Sequence, residues 1–250
     1  MLHSDGDAPR SRRIGSLLIS AIPFHEPSGA KITQLLSERE QNLLARIAVT
    51  VRFRTGELIY SAGDPARFVY AISAGAVRAY RVLPDGKRAV VAFLFPGDFF
   101  GLAENGTYLN SAQAVTPLTA HRLPVSGLTN LLRREPDLKW QILLKMCHEV
   151  REAQRHMIVL YHRGALAKLA LFLQMLDRWR EGGEDDGRGE IYLPMTRSDI
   201  ADYIGLSLAA VSRSFRTLAA RHLIVFRDRR HLAIVDRPGL ASLIAQQARG

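Results

Sequence analysis

Hydrophobic and polar positions change rhythm three times along this chain of 250 residues. Residues 1–30 are polar and broken by Pro9, Pro23 and Pro27, which predicts a flexible N-terminal tail. "LSEREQNLLARI" (36–47) reads as a short amphipathic helix, with Ser37 as N-cap and Glu40 completing a capping box. From about 51 to 124 the apolar residues come in short β-rich runs, "ELIYSAG", "FVYAISAGAVRAYRVL" and "AVVAFLF", punctuated by "SAGDP", "PDGK" and "PGD". That texture predicts a compact antiparallel barrel or sandwich. After Pro136 the period lengthens. Leu143, Met146, Val150, Ala153, Met157 and Leu160 recur at alternating spacings of 3 and 4, a heptad seam. A core helix can carry the same stripe. Here the other faces are polar (Lys145, His148, Glu149, Arg151, Glu152, Arg155), as expected when a single seam meets a partner, and this favours a parallel dimer helix. "HRG" (162–164) is a break, followed by a second apolar helix, "ALAKLALFLQMLDRW", and the acidic glycine loop "EGGEDDGRGE".

The next stretch predicts two short helices joined by a glycine turn. Thr196 caps the first, with Asp199 reaching back; Ile200 and Tyr203 face a core, and Gly205 supplies the positive φ that ends it. Ser207 caps the second, whose buried stripe is Val211, Phe215 and Leu218. Its opposite stripe is Ala209, Ser212, Arg213 and Arg216, with Ala210 alongside. Small and polar residues beside arginines, near a helix N-terminus, suit insertion into a DNA major groove. "LIVFRDRRHLAIVD" (223–236) adds a hairpin with Arg227, Arg229 and Arg230 near its tip, the place of a wing on the phosphate backbone. Helix pairs also exist purely for packing; the basic wing and the upstream dimer helix turn this one into a DNA reader. The expected base contacts are Arg213 (bidentate to guanine O6 and N7), Ser212, Ala209 and Ala210. Arg197, Ser207, Arg216, Arg227, Arg229 and Arg230 are the expected phosphate contacts.

Charge sharpens this picture. The net charge is +10, and residues 188–250 hold ten arginines and no lysine against five acidic residues. An all-arginine excess suits bidentate contact with phosphate and guanine. The single cysteine, Cys147, excludes an intrachain disulfide framework and argues against a cysteine-held iron–sulfur cluster. No run of eighteen apolar residues exists and "MLHSDGDAPRSRRIGS" has no signal-peptide core, so a cytoplasmic protein without a membrane partner is expected. "HEVRE" (148–152) lacks the second histidine of a zinc-protease helix, and no P-loop or dinucleotide fingerprint is present. No metal site and no enzyme are expected.

The order barrel, long helix, winged helix-turn-helix resembles the Crp/Fnr transcription factors over about residues 32–240. The cyclic-nucleotide-binding pattern is carried by Phe53, Gly56, Ile59, Gly63, Asp64, Ala66, Tyr70, Ile72, Gly75 and Val77, then "PGDFFGL" (96–102); "LPMTRSDIADYIGLS" is similar to the FixK branch of the Fnr group. The resemblance implies an α+β fold: a tail (1–30), a cyclic-nucleotide-binding-like antiparallel β-barrel of jelly-roll type (31–135), a dimerisation helix (136–162) and a winged helix-turn-helix domain (163–250). It further implies a homodimer on a palindromic site in double-stranded promoter DNA, with RNA polymerase as a partner through the "LPDGKR" hairpin (83–88).

For the barrel, the comparable effector positions are Gly101, Leu102, Asn110 and Ser111. Cyclic-AMP-binding relatives place a ribose-holding glutamate and a phosphate-holding arginine where this chain has Leu102 and Asn110, with Glu104 displaced by two residues. A buried phosphate needs a guanidinium or comparable donors, so independence from cyclic AMP is expected. The N-terminal cysteine cluster of oxygen-sensing relatives is missing, and Cys147 reads as a small hydrophobe at a helix interface. Haem stays open, since His121, His148, His156 and His162 show no pairing in sequence. The alternatives are a cyclic-nucleotide- or haem-responsive Crp-like regulator, and a regulatory module acting on another protein. Fnr and FixK relatives also have a glutamate where Ala209 stands, giving a Glu-x-x-Ser-Arg face and a TTGA-type half-site.

Overall fold

The computed structural model describes residues 17–21, 33–103, 105–181 and 189–247. Glu104, most of the acidic glycine loop and most of the tail predicted over 1–30 lie outside these residues. Residues 17–21 correct the tail expectation. β1 (Ser20–Ala21) pairs antiparallel with β2 (Thr33–Gln34), and Leu17, Ile19 and Ala21 are buried. Their alternation puts three apolar side chains on one face, and that face finds a core. α1 (Glu38–Ala45) follows; Ser37 accepts from the Glu40 amide at 3.3 Å while Glu40 accepts from the Ser37 amide at 2.7 Å, the capping box expected.

Eight strands come next: β3 (Val49–Phe53), β4 (Leu58–Tyr60), β5 (Phe68–Ala74), β6 (Val77–Val82), β7 (Arg88–Leu94), β8 (Phe99–Phe100), β9 (Ser111–Ala114) and β10 (Leu118–Pro124). They form two antiparallel sheets, ordered β3-β10-β5-β8 and β4-β9-β6-β7, a jelly-roll arrangement. β5 shows the period-2 logic: Tyr70 and Ile72 enter the core between the sheets with Val77, Phe100 and Leu118, while Val69 and Ala71 enter a second core with Leu44, Leu128, Leu138 and Ile142. Gly75 makes the turn into β6 at φ +92, where a Cβ would stand 2.3 Å from the Pro117 carbonyl oxygen, so only glycine fits.

α2 (Val125–Arg134) leads into α3 (Pro136–Tyr161), which begins on a proline suited to the first helical turn. α4 (Ala165–Glu181) starts beyond the break at 162–164. The last part comprises β11 (Ile191–Tyr192), α5 (Arg197–Ile204), α6 (Leu208–Ala220), β12 (Ile224–Phe226), β13 (His231–Ile234) and α7 (Arg237–Gln247), with the three strands ordered β11-β13-β12. Its core joins Phe172, Leu173, Ile200, Val211, Phe215 and Leu218, and takes in Val90 and Phe93 of β7. The strand domain and the helix-turn-helix therefore share apolar contacts within one chain.

Candidate nucleic-acid interface

The two-helix unit is built by local hydrogen bonds. Thr196 Oγ1 accepts from the Asp199 amide at 3.1 Å, and Asp199 Oδ2 accepts from the Thr196 amide at 3.0 Å and its hydroxyl at 2.7 Å. Gly205 ends α5 at φ +65, and Ser207 Oγ accepts from the Ala210 amide at 3.2 Å to start α6. Val211, Phe215 and Leu218 are fully buried. On the opposite face Ala209, Arg213 and Arg216 are exposed, while Ala210 and Ser212 are half-buried. One helix face thus carries two guanidiniums and small side chains, next to a helix N-terminus whose partial positive charge favours anions.

The expected phosphate contacts divide. Ser207, Arg216 and Arg229 are exposed. Arg197 is exposed too, with its guanidinium 5.0 Å from the centroid of Phe215 and 5.8 Å from that of Phe226. Arg227 is engaged within the chain: its Nε lies 3.2 Å from Glu190. Arg230 donates to the Tyr192 hydroxyl at 3.4 Å. The turn between β12 and β13 is closed by Asp228, which accepts from the Arg230 amide at 2.6 Å and the His231 amide at 2.8 Å; these donors hold its carboxyl below the usual range. The wing is a pinned, basic tip.

α5 is also tied to the strand domain. Asp199 caps with Oδ2 and, through Oδ1, pairs with Arg78 of β6 and, at 2.7 Å, with Arg88 of β7. Arg88 reaches Asp202 as well, at 2.6 Å. His156 of α3 stacks on Tyr203 of α5, with ring centroids 3.7 Å apart. Sequence reasoning missed this joint, since capping explains Asp199 completely and nothing local points to Arg78 or Arg88.

α3 turns its proposed seam to solvent. Leu143 is 50% exposed, Val150 57% and Met157 67%; Ala153 and Leu160 are exposed and Met146 is half-buried. Leu160 also borders the helix-turn-helix, because a Cβ on Gly205 would meet it at 3.4 Å. The reverse face corrects the sequence reading. Lys145 and His148, assigned there to a polar face around a single seam, are buried in line with Leu138 and Ile142. Lys145 Nζ donates to the Ser20 carbonyl at 2.9 Å and to Asp98 at 2.7 Å, and pairs with Glu149 at 2.8 Å. The helix lies against the strand domain, and a lysine on that face is retained because two carboxylates meet it. Burial pushes the His148 imidazole down to about 3, with Lys145, Arg151 and Arg155 adding to the effect. Burial also pushes the Glu149 carboxyl up to about 6, with Asp98 adding and Lys145 opposing. Cys147 is half-buried on α3.

Between the sheets, the region of the expected effector pocket is occupied by aromatic rings. Tyr60 and Tyr108 stack at 3.6 Å, and Tyr70 and Phe100 at 5.3 Å. Tyr108 donates to the Phe68 carbonyl at 2.7 Å, and Gly101 backs onto Tyr70 and Tyr108. Leu102 is exposed, Asn110 is half-buried, and Ser111 accepts from the Ala62 amide at 3.0 Å. The Arg122 guanidinium lies over the Phe68 ring at 4.5 Å. Among the described residues, the four expected effector positions offer an apolar side chain on Leu102, a neutral amide on Asn110 and a hydroxyl on Ser111, and none of them carries the cation that a cyclic nucleotide phosphate calls for. His121 is buried with Nδ1 at 3.4 Å from the Thr50 hydroxyl, and His156 Nε2 lies 2.6 Å from the Tyr203 carbonyl oxygen. Among the described residues no three His, Cys, Asp or Glu side chains form a metal-binding group.

Known proteins match this architecture. The family described as cyclic nucleotide-binding domain matches residues 50–135, and the Crp-like helix-turn-helix domain matches 167–243. The nitrogen fixation regulation protein FixK of Rhizobium meliloti is 39% identical over 191 residues, 76% of this chain and 85% of that protein. FixK of Bradyrhizobium diazoefficiens is 33% identical over 201 residues, 78% of this chain and 81% of that protein. The structure of FixK2 from Bradyrhizobium japonicum superposes with a TM-score of 0.73 at 32% identity, covering 79% of this chain and 97% of that one.

Proposed function

Because the chain belongs to the Crp/Fnr family of DNA-binding transcription regulators, in its FixK branch, we propose that it acts in the cytoplasm as a homodimer that reads a palindromic promoter site. Two α6 helices enter successive major grooves, about 34–36 Å apart. The carrying observation is the exposed stripe Ala209, Arg213 and Arg216 on a helix whose other face is fully buried. Arg213 binds guanine through O6 and N7, Ser212 contacts a neighbouring base, and Ala209 and Ala210 line the groove. Arg197, Ser207, Arg216 and Arg229 hold phosphates, with Arg227 and Arg230 joining once their internal partners are exchanged for phosphate. Dimerisation runs through Leu143, Met146, Val150, Ala153, Met157 and Leu160. RNA polymerase is met by the hairpin at 83–88, in which Leu83 is 43% exposed, next to Val82 at 66%. The aromatic filling between the sheets supports activity without a cyclic nucleotide.

The test is fluorescence anisotropy on a palindromic TTGA-type duplex and a scrambled one across a salt series, with and without cyclic AMP. Tight, sequence-dependent binding without nucleotide, falling steeply with salt, is expected. Equal affinity for both duplexes would reject sequence-specific reading, and binding only with cyclic AMP would reject nucleotide independence.

A further inference from the structure

The seam read from sequence begins at Leu143, but the heptad register extends back to Lys139 and Pro136. At that level α3 and α2 enclose an open groove of about 330 Å³, lined by Leu132, Pro136, Lys139, Trp140, Leu143 and Met146. Four of these lie on the heptad, and Leu143 and Met146 belong to the seam itself, so groove and seam form one continuous surface. Trp140 forms part of its rim and is 57% exposed, next to Leu143 at 50%. Lys139 is the one charged residue among these, and its aliphatic stem can cover apolar surface while the ammonium reaches water.

We infer that this groove is the upper end of the interface between two copies of the chain, filled by Trp140 of the second copy. The inference rests on the dimer reading above and adds an anchor to it. In a two-fold interface each surface meets its own equivalent, so one indole enters each groove. Tryptophan suits the place, since few residues concentrate interface energy as it does. Along the heptad Ala153 is small and buries little, Met146 and Met157 are flexible, and Leu143, Val150 and Leu160 are the only branched apolar contacts. An indole at one end supplies the area and registers the two helices axially.

The chain holds two tryptophans, Trp140 and Trp179, so Trp179→Phe leaves Trp140 as the sole indole reporter. Sedimentation equilibrium of the wild type, Trp140→Ala and Trp140→Lys would be run beside emission spectra and acrylamide quenching of Trp179→Phe on dilution. The inference expects both Trp140 variants to raise the dimer dissociation constant about tenfold or more. It also expects Trp140 emission to shift to the red and become quenchable as the dimer dissociates. A dimeric wild type with unchanged dissociation constants in the variants, and quenchable Trp140 at all concentrations, overturns the anchor and leaves the dimer standing. A wild type monomeric at every concentration overturns the dimer reading and the anchor with it. Blue, protected Trp140 emission in a monomeric charged-seam variant would place another part of the same chain over the groove, and also overturns the inference.

Discussion

α6 and α3 each leave one stripe of side chains to solvent, and the two stripes are chemically opposite. On α6 it is Ala209, Arg213 and Arg216, small and cationic; on α3 it is Leu143, Val150 and Met157, aliphatic. The first can be hydrated at little cost and complements a polyanion; the second gains by leaving water. Their hidden faces differ in the reverse sense. α6 buries Val211, Phe215 and Leu218, whereas α3 buries Lys145 and His148 beside Leu138 and Ile142. Exposure alone therefore does not mark a functional face, and charge alone does not mark a solvated one. What each helix packs against decides.

The strongest way to break this contrast is to give the α3 stripe the character of the α6 stripe. Val150→Glu together with Met157→Glu would place unpaired carboxylates in the proposed seam, so monomers are expected by sedimentation. Losing one of two linked half-site contacts should then lower DNA affinity about a hundredfold or more. An intact dimer would show that the seam is not the interface.

Next is the hidden charge. Lys145→Met would leave Asp98 buried without its cation, and a loss of about 3–5 kcal/mol in urea unfolding is expected. Arg216→Ala, on the exposed face of α6, should change stability by no more than about 0.5 kcal/mol. Similar losses for both would erase the difference between the faces.

Within the reading face, Arg213→Ala should cost about 1–3 kcal/mol on the specific site and much less on scrambled DNA, measured by anisotropy in one salt. Equal losses would make Arg213 a phosphate contact. The smallest effect concerns Ala209, which cannot accept a hydrogen bond from a cytosine amino group as a glutamate can. Ala209→Glu should sharpen preference for the FixK-type half-site by about 1 kcal/mol in a binding-site selection. A wild type already as strict as the variant would show that Ala209 costs no discrimination.

The sequence alone determined whatever depends on near neighbours. The capping boxes at Ser37–Glu40 and Thr196–Asp199, the left-handed Gly205 and the buried stripe of α6 each involve residues within a turn or two, where hydrogen-bond reach and helix period leave few choices. The apolar stripe of α3, now seen on its exposed side, follows from helix period in the same way. Only the tertiary structure decided what crosses long stretches of chain. Asp199 meets Arg78 and Arg88 across 121 and 111 residues, Lys145 meets Ser20 and Asp98 across 125 and 47, and Tyr108 folds onto Phe68 and Tyr60. A carboxylate that caps a helix gives no local sign that its second oxygen holds another domain. A lysine on an amphipathic helix likewise gives no sign that its charge is buried, because that depends on which surface arrives opposite and whether it brings the compensating charge.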